Sequence, residues 1–217
     1  MKRIRFDNEH RRKHFQFFNS MDQPHFNVCA EVDISRLLPE IKPRGLPFMP
    51  TVAYLVSDVA NSIPEFRWRI RGDEVVEHDV VHPSFAVATD VADVFSFCEV
   101  TFQRPYGGFI EEARRRMEMM RRAPVFEDDQ GRDDYLFLSS LPWVAFTSIA
   151  HAMHYSPVDS VPRIVWGKYY RRGDETPMPL SVQAHHAVVD GRHVGRFFEM
   201  LQRKLDDPQS ALDLGNL

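Results

Sequence analysis

Polar and apolar positions change period several times over the first eighty residues. In "DNEHRRKHFQFFNSM", His14, Phe15 and Phe18 fall near one face at helical spacing, which predicts a helix capped by Asp7 or Asn8. The opening "RIRF" reads as a short edge strand, and "HFNVCAEVDI" alternates as a strand does. A short helix follows, begun by Asp33 or Ser35 and running through Leu38 and Ile41. "MPTVAYLVSDVANSI" is a strongly apolar helix that stops before Pro64. "RWRIRGDEVVEHD" then has the form of a hairpin turned at Gly72-Asp73.

Two more alternating runs, "SFAVATDV" and "VFSFCEVTFQ", are expected as strands of the same sheet as that hairpin. "GGFIEEARRRMEMMRRAP" is an amphipathic helix ended before Pro124. The polar "EDDQGRDD" leads to "YLFLSSLPWVAFTSIA", an apolar strand region broken by Pro142. "RIVWGKYYRRGDETPMPLSVQAHH" reads as two strands around a Gly173-Asp174 turn. A closing helix, "GRHVGRFFEMLQRKLDD", points Val194, Phe197, Phe198 and Leu201 inward. Hairpins this frequent exclude a doubly wound parallel sheet. The expected class is α/β, a two-layer sandwich with a largely mixed β-sheet, as a single domain over residues 1–217.

Composition narrows the setting. With 217 residues, 43% of them hydrophobic and 27% charged, the chain can bury a sizeable core. A formal charge of −4 calls for neither nucleic acid nor a membrane surface as partner. The N-terminal "MKRIRFDNEHRRKHF" lacks the apolar stretch of a secretory signal, so a cytoplasmic location is expected, with Cys29 and Cys98 as reduced thiols.

Of the ten histidines, only two adjoin, in "LSVQAHHAVVDG", where Asp190 and Gly191 follow His186. A strand end before a tight turn presents side chains at the rim of a sheet, and imidazole is the usual general base near neutrality. Asp190 could orient that imidazole or pair with a distant cation. The same pair could equally be packing histidines, and spacing alone does not decide.

The segment "PLSVQAHHAVVDGRHVGRFFEMLQ" resembles the active-site segment of the trimeric chloramphenicol acetyltransferases, whose signature is HHxxxDG. "RRKHFQFF", "GLPFMPTVAYLVSDVANSIPEFRWRIRGDEVVEHDVVHPSF", "SSLPWVAFTS" and "GKYYRRGDETPMPLSVQ" are similar to other family segments, so the resemblance runs from about residue 4 to 205. It implies transfer of acetyl from acetyl-CoA, a co-substrate, to a substrate hydroxyl in a ternary complex, with no bound cofactor and no metal. His186 then matches the general base, Ser139 the stabiliser of the tetrahedral oxyanion (Ser140 is its neighbour), and Asp190 the partner of an arginine of the first helix, Arg11 or else Arg12. Phe17, Phe18, Phe26, Phe95 and Phe126 fall where aromatic or apolar groups line the acceptor pocket. Lys168 and Tyr169 lie on a strand similar to the coenzyme A wall. A homotrimer with active sites between subunits is implied as well.

Departures from the family gather in the acceptor region. Asp22 and Pro24 stand in a loop that is ordinarily apolar or cysteine-bearing. Ile149, His151 and Met153 replace a Phe-x-Leu-x-Val run, and Val165 replaces a threonine. They predict a reshaped, more polar pocket and keep open a second reading, the same chemistry on another small hydroxylated acceptor. A third is a noncatalytic protein that retains the fold. His10 and His14, at i, i+4, have the spacing of a metal-ligand pair but no evident third ligand. The arginines between 114 and 122 read as a solvated helix face balanced by Glu111, Glu112 and Glu118.

Overall fold

The computed structural model describes residues 1–126, 131–154, 156 and 158–216. Nine strands are described: β1 (Lys2–Ile4), β2 (His25–Asp33), β3 (Trp68–Arg71), β4 (Glu74–Glu77), β5 (His82–Ala88), β6 (Phe95–Glu99), β7 (Tyr135–Leu141), β8 (Arg163–Gly167) and β9 (Pro177–His185). The main helices are α1 (Glu9–Asn19), α2 (Leu37–Ile41), α3 (Phe48–Asn61), α4 (Tyr106–Arg122) and α5 (Gly191–Asp206). The first helix begins where expected, with the Asn8 side chain accepting from the Arg11 amide at 3.0 Å. For α2 neither Asp33 nor Ser35 is the cap. Arg36 takes that place with no side-chain bond, because Asp33 is spent on the Ser35 and Thr176 amides.

The principal sheet is mixed, in the order β2-β9-β8-β7-β5-β6, with β5-β7 and β7-β8 parallel and the remaining pairs antiparallel. The β3-β4 hairpin turns at Gly72 but does not belong to it. It pairs with β1 in a separate three-stranded sheet, which corrects the expectation of one shared sheet. Helices α3, α4 and α5 pack on one face of the six strands. Alternation along the strands sends Ile164, Trp166, Leu136, Leu138, Leu180, Val182 and Ala184 into the core between the layers. Within that layer Asp58 is buried and paired with Arg104 and with Lys204, the latter at 2.6 Å, so α3 and α5 are tied by charge as well as packing.

The opposite face carries Asn27, Cys29, Arg163, Ser139, Ser181 and Gln183. These residues share strand registers and so point one way. All nine residues of β9 are nevertheless buried, so this face is covered too. Its cover is the segment after β7. That segment is irregular chain: β7 stops at Leu141, at the break expected from Pro142, and no second strand follows before β8 among the described residues. Asn27 donates to the Ile149 carbonyl at 2.7 Å, and the Gln183 amide meets the Met153 sulfur at 2.7 Å. Gly167 makes the crossing possible. A Cβ there would lie 2.7 Å from the Val144 carbonyl oxygen and 2.9 Å from the Phe146 ring.

Candidate active site

Strand β9 ends at His185, and the turn that follows carries His186 to the rim. The His186 amide donates to the Pro24 carbonyl at 2.9 Å, which anchors the turn beside β2. Its ring stacks on Phe18 with centroids 4.0 Å apart and lies 4.5 Å from Phe26. Imidazole Nδ1 sits 3.2 Å from the Val189 carbonyl oxygen, an atom that can only accept. Nδ1 therefore holds the ring proton, and Nε2 keeps its lone pair.

Asp190 opens α5 as its cap. Its side chain accepts from the Arg192 amide, and the His193 ring accepts from the Asp190 amide, so the two form a capping box. The cap bond, more than the neighbouring imidazoles, holds this carboxyl below its ordinary range. Arg11 does not pair with it directly, nor does Arg12. Arg11 Nη1 donates to the Ala187 carbonyl at 2.8 Å and Nη2 to the Val188 carbonyl at 3.2 Å, while Arg12 donates to the carbonyls of Phe6 and Asp7. The expected ion pair is thus replaced by direct clamping of the backbone that carries His186, because one turn of α1 already faces those carbonyls.

His14 enters this site, and sequence reading assigned it no part in it. Its Nδ1 lies 2.8 Å from Arg11 Nη1 and its Nε2 lies 3.6 Å from Asp190 Oδ2, with its ring edge-on to His186 at 5.6 Å. The available signal was helical spacing, since positions 11, 14 and 18 share one face of α1. His10 is exposed and stands apart. His14, His186 and Asp190 do bring one ligand atom each within 4.8 Å of one another. That donor set does not suit a cation. The Arg11 guanidinium donates to His14 Nδ1, so the other nitrogen holds a proton where a metal would need a lone pair.

His185 points away from His186. Its Nδ1 accepts from the Ala187 amide at 3.2 Å, and burial pushes its pKa down to about 4. His25, its register partner on β2, lies 5.1 Å away ring to ring and is likewise lowered to about 4, by burial. His151, within the cover segment, is lowered by burial and by Arg163, and its Nε2 is buried with no hydrogen-bond partner among the described residues.

The remaining residues do not gather around His186 in one chain. Ser139 lies level with Val165 and Ser181, two strands from β9 and residues 181 to 186 back along it. With strands about 4.8 Å apart and about 3.4 Å per residue, Ser139 is roughly 20 Å from His186 of its own chain. Phe95 and Phe126 join Phe97 in an exposed aromatic cluster at the far edge strand β6, with centroids 5.2–5.4 Å apart. Phe17 is 60% exposed and packs edge-on against Phe18. Ser140 alternates to the helix side of β7. There it lines a cavity of about 440 Å³ with Phe48, Met49, Pro142, Trp166, Gly167, Lys168 and Tyr169.

Residues 1–202 match the protein family described as chloramphenicol acetyltransferase. The chain belongs to the chloramphenicol acetyltransferase family. A relative of that name from Proteus mirabilis is 32% identical over 197 residues, covering 91% of each chain. Chloramphenicol acetyltransferase 3 of Escherichia coli is 32% identical over 197 residues, covering 88% of this chain and 91% of its own. A solved chloramphenicol acetyltransferase structure superposes with a TM-score of 0.80 at 25% identity, over 94% of this chain and 100% of its own. A dihydrolipoamide acetyltransferase of Azotobacter vinelandii, at 19% identity and a TM-score of 0.67, shares the fold. As the family's chemistry requires, the chain is an acetyl-CoA-dependent acetyltransferase.

Proposed function

We propose that the chain is a chloramphenicol O-acetyltransferase and that His186 is its general base. The observation that carries this reading is the His186 ring itself. Its Nδ1–H is tied to the Val189 carbonyl, and its free Nε2 stands at a rim between Phe18 and Phe26. Nε2 takes the proton of an acceptor hydroxyl as that oxygen attacks the thioester carbonyl of acetyl-CoA. A free alcohol attacks poorly, and positioned base catalysis contributes about 10²–10⁴-fold. The tetrahedral oxyanion accepts a hydrogen bond from the Ser139 hydroxyl, a type of contact worth roughly 3 kcal/mol. Collapse expels the coenzyme A sulfur, and the proton held by His186 leaves with it. No further cofactor is needed.

Coenzyme A suits the cavity beside Ser140, which offers apolar walls for a slender arm and Lys168 with Tyr169 at its rim. The acceptor is held by Phe18 and Phe26 beside the base, with Phe17, Phe95, Phe126, Ile149, His151 and Met153 completing the pocket. Ser139, and Phe95 with Phe126 at the far edge strand, are too distant from His186 to meet it within one chain, which supports a homotrimer whose sites join the His186 end of one subunit to the Ser139 face of the next. Among the described residues no helix is long and apolar enough to cross a membrane. A cytoplasmic setting belongs to the same reading, since acetyl-CoA is the donor and both Cys29 and Cys98 are free thiols.

The test is thiol release from acetyl-CoA with chloramphenicol as acceptor, comparing wild type with His186→Ala. Turnover lost in the variant supports both base and acceptor. A wild-type protein that binds acetyl-CoA and releases no thiol with chloramphenicol rules the drug out as substrate.

A further inference from the structure

We propose that His14 is a positioning residue for the base, a neutral imidazole that draws the Asp190 carboxylate and the Arg11 guanidinium to itself and so keeps His186 aligned and unprotonated. This inference rests on His186 being the base. Three observations carry it. Arginine can only donate, so the 2.8 Å contact from Arg11 Nη1 makes His14 Nδ1 an acceptor and places the ring proton on Nε2. That N–H end lies 3.6 Å from Asp190 Oδ2, beyond hydrogen-bond length but close enough for its dipole to offset the carboxylate's charge. The His14 ring also meets the edge of His186 at 5.6 Å, and Phe18 touches both rings, at 4.8 and 4.0 Å.

Burial and the Arg11 charge both hold His14 below the ordinary histidine range, in keeping with a neutral link. The other charged and titratable groups around the two rings, among the described residues, are His185 at the end of β9, Asp190, Arg192 and His193 from the segment after it, and Glu65, 3.6 Å from His193. Among them Asp190 is the carboxylate that stabilises a protonated His186. Any residue that leaves Asp190 uncompensated therefore favours the imidazolium, which is useless as a base.

Two substitutions separate this role from packing. His14→Phe keeps a flat ring and loses both nitrogens, whereas His14→Gln keeps an acceptor for Arg11 and an amide donor for Asp190. At saturating acetyl-CoA and chloramphenicol, His14→Phe should lose about tenfold in kcat with KM little changed. Its acid limb should move up by about half a pH unit, and His14→Gln should stay near wild type in both. Equal activity of the two variants, or a loss confined to KM, would overturn the proposal. Should the wild type not turn chloramphenicol over, the acceptor assignment is at fault rather than His14. The pH dependence of His186 carbethoxylation by diethyl pyrocarbonate, followed by peptide mass spectrometry, then reads the same shift without an acceptor. An unchanged His186 profile in His14→Phe refutes the role.

Discussion

Adjacent histidines 185 and 186 have opposite fates because β9 ends between them, so that His185 keeps its place on the strand while His186 belongs to the turn that follows. His185 goes under the cover segment and is 1% exposed, while His186 turns out to the rim. The buried pair His185 and His25 has a consequence for stability. Both pKa values are depressed in the folded chain to about 4 from an ordinary 6.5, so between those values the unfolded chain binds more protons. Their neutral burial is therefore fully tolerated above about pH 6.5, and stability is lost progressively as pH falls towards 4. Thermal unfolding followed across that window should show a falling midpoint, and His185→Asn, which cannot ionise, should flatten the fall. A midpoint independent of pH from 6.5 to 4.5 in the wild type would count against neutral burial.

Among the elements, β7 decides most about the site. Its consecutive serines lie on opposite faces, Ser139 towards the cover segment and Ser140 towards the cavity beside α3. If Ser139 supplies the oxyanion donor, Ser139→Ala should lower kcat by about 10²–10³-fold with little change in KM. Ser140→Ala should act in the other parameter, raising KM for acetyl-CoA a few-fold at nearly constant kcat, since it removes ground-state contact alone. Steady-state kinetics on both variants checks the split, and a reversed pattern would exchange their roles. The helix α1 works by the same periodic logic. Its face presents Arg11, His14 and Phe18 to the turn after β9, which is why one short helix touches His186, the neighbouring Asp190 carboxylate and the carbonyls between them.

In the whole molecule, the wide separation of His186 from Ser139 leads to a test that no single chain can satisfy. Subunits carrying His186→Ala and subunits carrying Ser139→Ala should each be inactive. Unfolded and refolded together in equal amounts, they should recover activity at about a quarter of the sites, because a site drawn from two chains receives both native residues with that frequency. No recovery in verified mixed oligomers would mean that each site lies within one chain.

Much of this was legible beforehand. The period of apolar residues located α1, α3, α4, α5 and the strands of the large sheet, since burying one face demands that period. The HHxxxDG turn was legible through its resemblance to a family segment, since spacing alone left the histidine pair undecided. Three features were not. The Arg11 contact needed α1 docked against Ala187 and Val188, 176 and 177 residues away. The hairpin's separate sheet depended on pairing with β1, which local pattern does not specify. The irregular chain through Ile149, His151 and Met153 takes its course from contacts with Asn27 of β2 and Gln183 of β9, which local pattern does not specify.

What the sequence alone determined, then, is the set of elements and the mixed α/β class, both of which follow from residue type and short-range period. Tertiary structure decided which of two adjacent histidines reaches the rim, that Arg11 clamps carbonyls while His14 faces Asp190, and that Ser139 stands far from His186 of its own chain. Those outcomes depend on packing between segments distant in the chain, and distance in space is not written in local periodicity.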